Sequence, residues 1–368
     1  MIAIVYPQFY GVGGIARYLD SFLANLPQNH APIYLITGDE GKRDKQYSGV
    51  EIIHIPFTSN RFALLQWSYQ ATKLVRQLED EKKIRVVNFH FPPLIPGLFL
   101  RKASNIVLTA HTTYEGMSGH FYPVSHFKNP WNPLALWIKQ LMEKVIFSKT
   151  SKVITLTEQG RAEVMTYHYA GPVSVVPNGV DLAQFNPSSA VLKDIDVLFC
   201  GRIEKRKGSR PLVEVCKQLI VSRPDIRICI VGYGDDDEYV KTELSQFPAN
   251  VELPGKVPFD QMMGYYNRSK VYASTSYYEG LPGTCLEALA MKLPVVVWNF
   301  AFYDPLVIEG LNGRLVEPNH YAGMVQAVND LLADPVRSQA MGQKGRELLA
   351  QSYSWPVLAA SLMEIMSS

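Results

Sequence analysis

The residues best suited to chemistry in this chain stand in four short clusters. In "EGLPGTCLEALA", residues 279–290, Pro282 and Gly283 mark the start of a helix. Backbone N–H groups near Gly283 and Thr284 can there meet an anion at the positive helix end, a place that suits a diphosphate. Glu279 precedes that helix and Glu287 lies one turn inside it, so two carboxylates flank the phosphate position. Carboxylates accept hydrogen bonds, so they suit sugar hydroxyls better than phosphate. The plainer alternative is an ordinary helix start whose acids match its dipole. In "CGRIEKRKG", residues 200–208, Arg202, Lys205, Arg206 and Lys207 crowd together ahead of a helix. A guanidinium fork grips two phosphate oxygens while an ammonium adds a mobile point charge. Together they could stabilise a diphosphate as its charge develops, unless they are merely a solvated charge run. His111 in "TAHTTYEG" comes directly after an apolar run. Its ring can act as donor or acceptor toward a bound group, or serve as a structural histidine.

The fourth cluster, "YGVGGIARYL" at 10–19, carries Gly11, Gly13 and Gly14 before a stretch with helical spacing. Gly11 to Ala16 fits G-x-G-x-x-A, and Asp39 stands about 20 residues on, as in a dinucleotide site. That fingerprint needs its first glycine at the strand-to-helix turn, and here Pro7, Gln8, Phe9 and Tyr10 intervene. A structural turn, a phosphate or acceptor contact, and an NAD site all stay open on these residues alone.

Short β-branched runs position these clusters. "IAIVY", "IYLIT", "IRVVNF", "NIVLTA", "KVITLT" and "VSVVP" alternate with helical stretches, and the rhythm restarts with "DVLFCG", "IRICIVG", "KVYAST" and "LPVVVW". Such fully apolar strands belong to parallel sheets covered on both faces, so the fold class is α/β with two doubly wound domains. Pro, Gly, Asn and Ser gather at 177–189, "PNGVDLAQFNPSS", where we expect the linker. The domains expected are 1–182 and 183–352, with 353–368 a C-terminal helix packing back on the first, its Trp355, Leu358, Leu362 and Ile365 at helical spacing. Open parallel sheets bind ligands beyond the carboxyl ends of their strands. Each cluster follows a predicted strand there.

The totals are those of an ordinary globular protein: 368 residues, 47 % hydrophobic, 19 % charged, net charge +2. Residues 1–182 hold 18 Lys+Arg against 13 Asp+Glu (+5), and residues 183–368 hold 18 against 21 (−3). That mild asymmetry excludes a dedicated nucleic-acid binder while leaving room for an anionic membrane surface or an acidic acceptor. The four cysteines, all in the second half, show no C-x-x-C pair, so neither zinc nor a disulfide framework is indicated, and a reducing compartment fits. No run approaches 18 apolar residues.

Glu279 and Glu287 in E-x7-E spacing, Arg202 and Lys207 in "GRIEKRKG", "PNGVD" at 177–181, "IVGYGDD" and the N-terminal glycine pair together resemble the retaining, nucleotide-sugar-dependent glycosyltransferases of family 4, which have the GT-B fold. The resemblance implies two Rossmann-like domains facing across a cleft, the first for the acceptor and the second for the donor. It implies that Arg202 and Lys207 hold the donor diphosphate, Glu287 the ribose hydroxyls and Glu279 hydroxyls of the transferred sugar. Gly280, Leu281, Pro282, Gly283 and Thr284 would complete the donor site, backbone at Val257 and Pro258 would meet the nucleobase, Gly13 and Gly14 would approach phosphate or acceptor, and His111 would contact the sugar. It further implies a UDP-sugar donor, a glycan or lipid-linked hydroxyl acceptor of cell-envelope polysaccharide synthesis, a cytoplasmic or peripheral inner-face location, and no cofactor. Rival readings are an NAD-dependent oxidoreductase and a catalytically degenerate sugar-binding subunit. In "VVVWNFAFYD" the usual glycine-rich stretch is replaced, so Trp298, Asn299 and Phe300 are expected to narrow the sugar pocket or offer aromatic surface to the acceptor.

In residues 131–152, Trp131, Leu134, Trp137, Ile138, Leu141 and Val145 alternate with Lys139, Lys144, Lys149 and Lys152, as in a basic amphipathic helix on an anionic membrane. A core helix with a solvated lysine edge is the alternative. Asp235 and Asp237 form a D-x-D string, but they follow Gly234 at an expected helix start, where acids complement the dipole. With a diphosphate already compensated by Arg202, Lys207 and a helix N-terminus, sugar transfer should persist in excess EDTA. Loss of turnover in EDTA with recovery on adding Mg²⁺ or Mn²⁺ would show that both the acids and the basic cluster are misread.

Overall fold

Runs of four to six apolar, β-branched residues are too short for stable helices and bury well on both faces, so they form the strands of two parallel sheets. The computed structural model describes residues 1–11, 13–39, 41, 44–57, 62–93, 95–101, 104–119, 132–188 and 190–368. The first sheet comprises β1 (Ile2–Val5), β2 (Ile33–Gly38), β3 (Val50–Ile55), β4 (Val86–Phe91), β5 (Ile106–Ala110), β6 (Lys152–Thr155) and β7 (Val173–Val175). Its order is β3-β2-β1-β4-β5-β6-β7. The second comprises β8 (Ile195–Cys200), β9 (Ile228–Val231), β10 (Val251–Gly255), β11 (Ser269–Ser274), β12 (Val295–Trp298) and β13 (Gly313–Val316), in the order β10-β9-β8-β11-β12-β13. In each sheet the chain builds outward one way and then the other. The winding reverses between β1 and β4 in the first and between β8 and β11 in the second, so ligand crevices are expected beyond those strand ends.

The two compact units meet in sequence at Gly179 and Val180, and Trp355–Ser368 belongs with the first. The expected linker is largely ordered beyond that point. Asp181 Oδ1 accepts from the Ala183 and Gln184 N–H groups, and the Arg346 guanidinium donates to the carbonyls of Leu182 and Phe185. The helix Trp355–Ser367 lies on the helix Gly14–Ala24, burying Trp355, Leu358, Ala359 and Leu362. Trp355 meets Tyr18 edge-on at 5.1 Å and sits over Gly179, where a Cβ would stand 2.8 Å from the indole. Lys152 Nζ donates to the Ile365 carbonyl at 3.2 Å near the helix C-terminus.

Candidate functional site

In the second unit the chemistry gathers at the reversal point. Beyond β8 the chain turns through Gly208 in the left-handed region (φ 73°), where a Cβ would lie 1.9 Å from the Thr275 carbonyl oxygen, so only glycine fits. Thr275 Oγ1 donates to the Gly208 carbonyl, the Tyr277 N–H to the Arg206 carbonyl, and Arg206 Nη1 to the Tyr278 carbonyl at 2.9 Å. These bonds lace the loop after β8 to the loop after β11 and bring Lys207 against Glu279. The Lys207 ammonium donates to Glu279 Oε1, and both side chains are largely buried. Burial pushes the Lys207 pKa down, and the Glu279 carboxylate pushes back. The basic cluster is thus sorted. Arg206 is a structural brace that also donates to Glu204, while Arg202 keeps 60 % of its side chain in solvent, 3.3 Å from the same carboxylate.

The helix Gly283–Ala290 begins after Pro282 with no side-chain cap, leaving the first-turn N–H groups of Gly283 and Thr284 for a ligand or water. A Cβ on Gly283 would meet nothing within 4 Å. Glu287 lies inside this helix, buried, its carboxylate accepting from the Tyr266 hydroxyl at 2.8 Å. Burial raises the Tyr266 and Tyr272 pKa values well above the ordinary range, so both remain donors; Tyr272 pairs with Thr284 Oγ1 at 2.8 Å. Leu281 and Pro282 are buried and Gly280 is half-buried. Val257 and Pro258 lie in the loop after β10, two strands from β8. Of the two expectations for Trp298 and Phe300, that of an aromatic surface is corrected. Trp298 is fully buried in β12 and donates Nε1–H to the Thr275 carbonyl, and Phe300 is buried and stacked on Phe302, so neither offers surface to an acceptor. Asp235 is exposed; the helix Asp237–Leu244 is preceded by Asp236, which accepts from the Ser209 hydroxyl. Among the described residues no three His, Cys, Asp or Glu side chains are grouped to hold a metal ion.

In the first unit, Gly13 is extended (φ −179°) and Gly14 opens the helix Gly14–Ala24. A Cβ on either would meet nothing within 4 Å, so neither backbone shape nor packing requires glycine there. The interval from Pro7 to Tyr10 closes as a turn through Gly11 N–H to the Gln8 carbonyl, which removes the glycines from the strand end where a dinucleotide fingerprint needs them. His111 follows β5, buried, with Tyr18 of the glycine-led helix edge-on to its ring at 4.8 Å. Burial pushes its pKa down to about 3, so the ring is neutral, with one nitrogen to donate and one to accept. His90, which no motif marked, lies 3.0 Å behind it; its signal was a polar residue spaced two from Asn88 in an otherwise apolar strand. A cavity of about 370 Å³ in this unit is lined by Tyr10 and Tyr47 with Asp44, Lys45, Gln46 and His54.

The helix Pro133–Phe147 exposes Leu134, Trp137, Ile138, Leu141 and Val145 by 41–63 %. Trp131 lies outside the described residues. The lysine edge is partly committed: Lys149 Nζ donates to the Leu98 carbonyl, Lys152 to Ile365, and Lys139 lies over the Tyr114 ring, while Lys144 is exposed. No helix among the described residues is long and apolar enough to cross a membrane.

Two family models match: "Glycosyltransferase Family 4" over residues 12–184 and "Glycosyl transferases group 1" over residues 182–348. The chain is 24 % identical to the GDP-mannose-dependent alpha-(1-6)-phosphatidylinositol monomannoside mannosyltransferase of Mycolicibacterium smegmatis, over 96 % of this chain and 95 % of that one. It is similar in fold to sucrose-phosphate synthase from Thermosynechococcus elongatus, with TM-score 0.82, 19 % identity, and 99 % and 97 % of the two chains covered. It is likewise similar to the Anabaena protein HepE solved in complex with UDP-glucose, with TM-score 0.74, 16 % identity, and 100 % and 99 % covered.

The loop that follows His111 is anchored by a buried carboxyl, and this yields a pH prediction. Glu143 accepts from the Tyr114 N–H at 2.7 Å and from the Tyr167 hydroxyl, and burial raises its pKa from 4.5 to about 8. The folded state therefore holds a proton that the unfolded chain releases above about pH 4.5, so this group's contribution to stability falls as pH rises toward 8. Glu143→Gln should flatten the decline of thermal stability across that window. An unchanged slope would show that Glu143 does not carry it.

Proposed function

The chain belongs to the family 4 glycosyltransferases and has their GT-B fold, and from that premise we propose that it moves a hexose from a nucleoside diphosphate donor, a UDP-sugar, to a hydroxyl of a glycan or lipid-linked acceptor with retention at the anomeric carbon. The observation that carries the reading is the Lys207–Glu279 pair, with Arg202 in the same loop as Lys207 and the uncapped helix start at Gly283 shortly after Glu279. A diphosphate would draw the Lys207 ammonium and Arg202 onto its oxygens, with the N–H groups of Gly280, Leu281, Gly283 and Thr284 completing the cradle. Sugar hydroxyls would take the place of Lys207 on Glu279, and ribose hydroxyls would meet Glu287. Backbone at Val257 and Pro258 would face the base. In the first unit, Gly13 and Gly14 would admit donor phosphate or acceptor to the backbone, and His111 would meet the transferred sugar.

The step needs no protein nucleophile. The bond from the anomeric carbon to the diphosphate oxygen breaks, the acceptor oxygen bonds to the same face of that carbon, and the acceptor proton passes to the departing diphosphate. Arg202 and Lys207 stabilise the charge that develops on the leaving group, and exclusion of water protects the donor from hydrolysis. The exposed apolar stripe of Pro133–Phe147, with Lys144 beside it, supports a peripheral contact with an anionic membrane that carries a lipid-linked acceptor.

Arg202→Ala should lower kcat/KM by about 2.7 to 4 kcal/mol of transition-state stabilisation while leaving thermal stability unchanged, because that side chain is mostly solvated. Lys207→Ala should lower both, since it strands the Glu279 carboxylate in a buried position. The decisive measurement is donor hydrolysis without acceptor across UDP- and GDP-linked hexoses. Turnover of GDP-mannose alone would overturn the UDP assignment, and Arg202→Ala at wild-type rate would overturn the site.

Liposome flotation tests the membrane contact. Binding to anionic vesicles at low salt should fall when Trp137 and Leu141 are replaced by Ser, and no binding of the parent protein would remove the membrane from the reading.

A further inference from the structure

Behind His111 stands a chain of hydrogen bonds whose proton positions are fixed from one end. Asn88 and His90 alternate with Val87, Phe89 and Phe91 along β4, so they share one face of the sheet. Asn88 Nδ2 lies 3.0 Å from the Val107 carbonyl oxygen and 3.0 Å from Thr109 Oγ1. A carbonyl can only accept, so the amide nitrogen faces it, and Asn88 Oδ1 is left toward His90 Nε2 at 2.7 Å. That amide oxygen also only accepts, so His90 Nε2 carries the hydrogen. Burial, with His111 beside it, keeps the His90 ring neutral, so its Nδ1 is a bare lone pair. His111 Nε2 lies 3.0 Å from that lone pair and must donate to it. His111 is neutral as well, so its hydrogen is on Nε2 and its own Nδ1 is bare. The rings that wall the pair, Tyr6 and Tyr18 on His90 and Tyr18 on His111, bring no charge to disturb this order.

We propose that Asn88 and His90 are positioning residues that lock His111 in its Nε2–H tautomer, reserving Nδ1 as a hydrogen-bond acceptor for a hydroxyl of the transferred sugar. The proposal rests on the reading that His111 meets that sugar. A bare ring nitrogen repels phosphate oxygens and accepts from a hydroxyl, so His111 discriminates among donors by whether a hydroxyl stands opposite it. It takes no part in compensating the diphosphate. A buried group built to accept that bond penalises a deoxy analogue, which leaves it unpaired.

The test begins with the tautomer itself. Long-range ¹H–¹⁵N correlation on histidine-labelled full-length protein should show His111 protonated at Nε2 and bare at Nδ1, with His90 in the same form. Histidine signals are assigned by H90Q and H111Q. In H90L the His111 signals should shift toward the other tautomer, whereas in H90Q, whose amide oxygen can accept from Nε2–H, they should return. In parallel, H90L should lose about tenfold to a hundredfold in kcat/KM, the scale seen when the partner that orients a functional histidine is removed, and H90Q should recover most of it. Wild-type His111 protonated at Nδ1 overturns the relay even if H90L does not fold. A correct tautomer with H90L at wild-type kcat/KM overturns its role in positioning. The spectroscopic readout uses no donor or acceptor, so it stands or falls apart from the assignment of sugar transfer.

Discussion

A lysine ammonium and a glutamate carboxylate can both be withdrawn from water only if each neutralises the other, and the second unit is organised around meeting that condition for Lys207 and Glu279. The two residues are far apart in sequence and come from loops beyond different strands. Their meeting depends on the reversal of winding that makes β8 and β11 neighbours, on the left-handed turn at Gly208 seated against the Thr275 carbonyl, and on the Arg206 brace to the Tyr278 carbonyl. Trp298 belongs to the same framework, since its indole N–H holds the Thr275 carbonyl from the far side. Removing either partner would leave the other charge buried and unpaired, so the loops after β8 and β11 are coupled through this pair.

The central strands were legible in the sequence for a physical reason. Strands covered on both faces are largely apolar, and β1 and β12, buried along their whole length, stand out as unbroken runs, with β5 interrupted only by Thr109. The strands that went unread, β3, β10 and β13, lie at sheet edges. An edge strand is half-solvated, so "VEIIHI" keeps polar residues among its apolar ones, "VELPG" tolerates a proline, and "GRLV" is scarcely a run at all. The site divides along the same line. Candidate residues announced by glycine, proline and charge at strand ends can be named from the sequence, whereas His90 and Asn88 lie inside a strand, where two polar residues at alternate positions read as interruptions of the core.

Side-chain type does not fix exposure, and stretches alike in type divide once they fold. An aromatic run after a strand suggested a binding surface, but Trp298 completes the strand and Phe300 packs on Phe302 within the core. Four lysines along one stretch suggested a basic edge, but Lys149 and Lys152 spend their ammonium groups on carbonyls of their own unit. The four cations in "RIEKRK" divide into a brace at Arg206, a buried partner at Lys207 and two exposed side chains at Arg202 and Lys205. Each case turns on long-range hydrogen bonds, which leave no periodic trace in the chain.

The polar groups of the two units follow opposite electrostatic rules. In the second, Lys207 and Glu279 at the reversal point are largely buried, charged and paired. In the first, the buried polar groups of β4, β5 and the position after β5 are neutral: His90 and His111 are stripped of charge by burial, and Asn88 and Thr109 carry none. A neutral site cannot stabilise a departing diphosphate, but it reads hydroxyl groups sharply, because its donors and acceptors are fixed and cannot be relieved by titration. The two kinds of burial therefore answer to different conditions: the Lys207–Glu279 pair holds only while both partners stay ionised, whereas the hydrogen-bond order around His90 and His111 holds only while both rings stay uncharged.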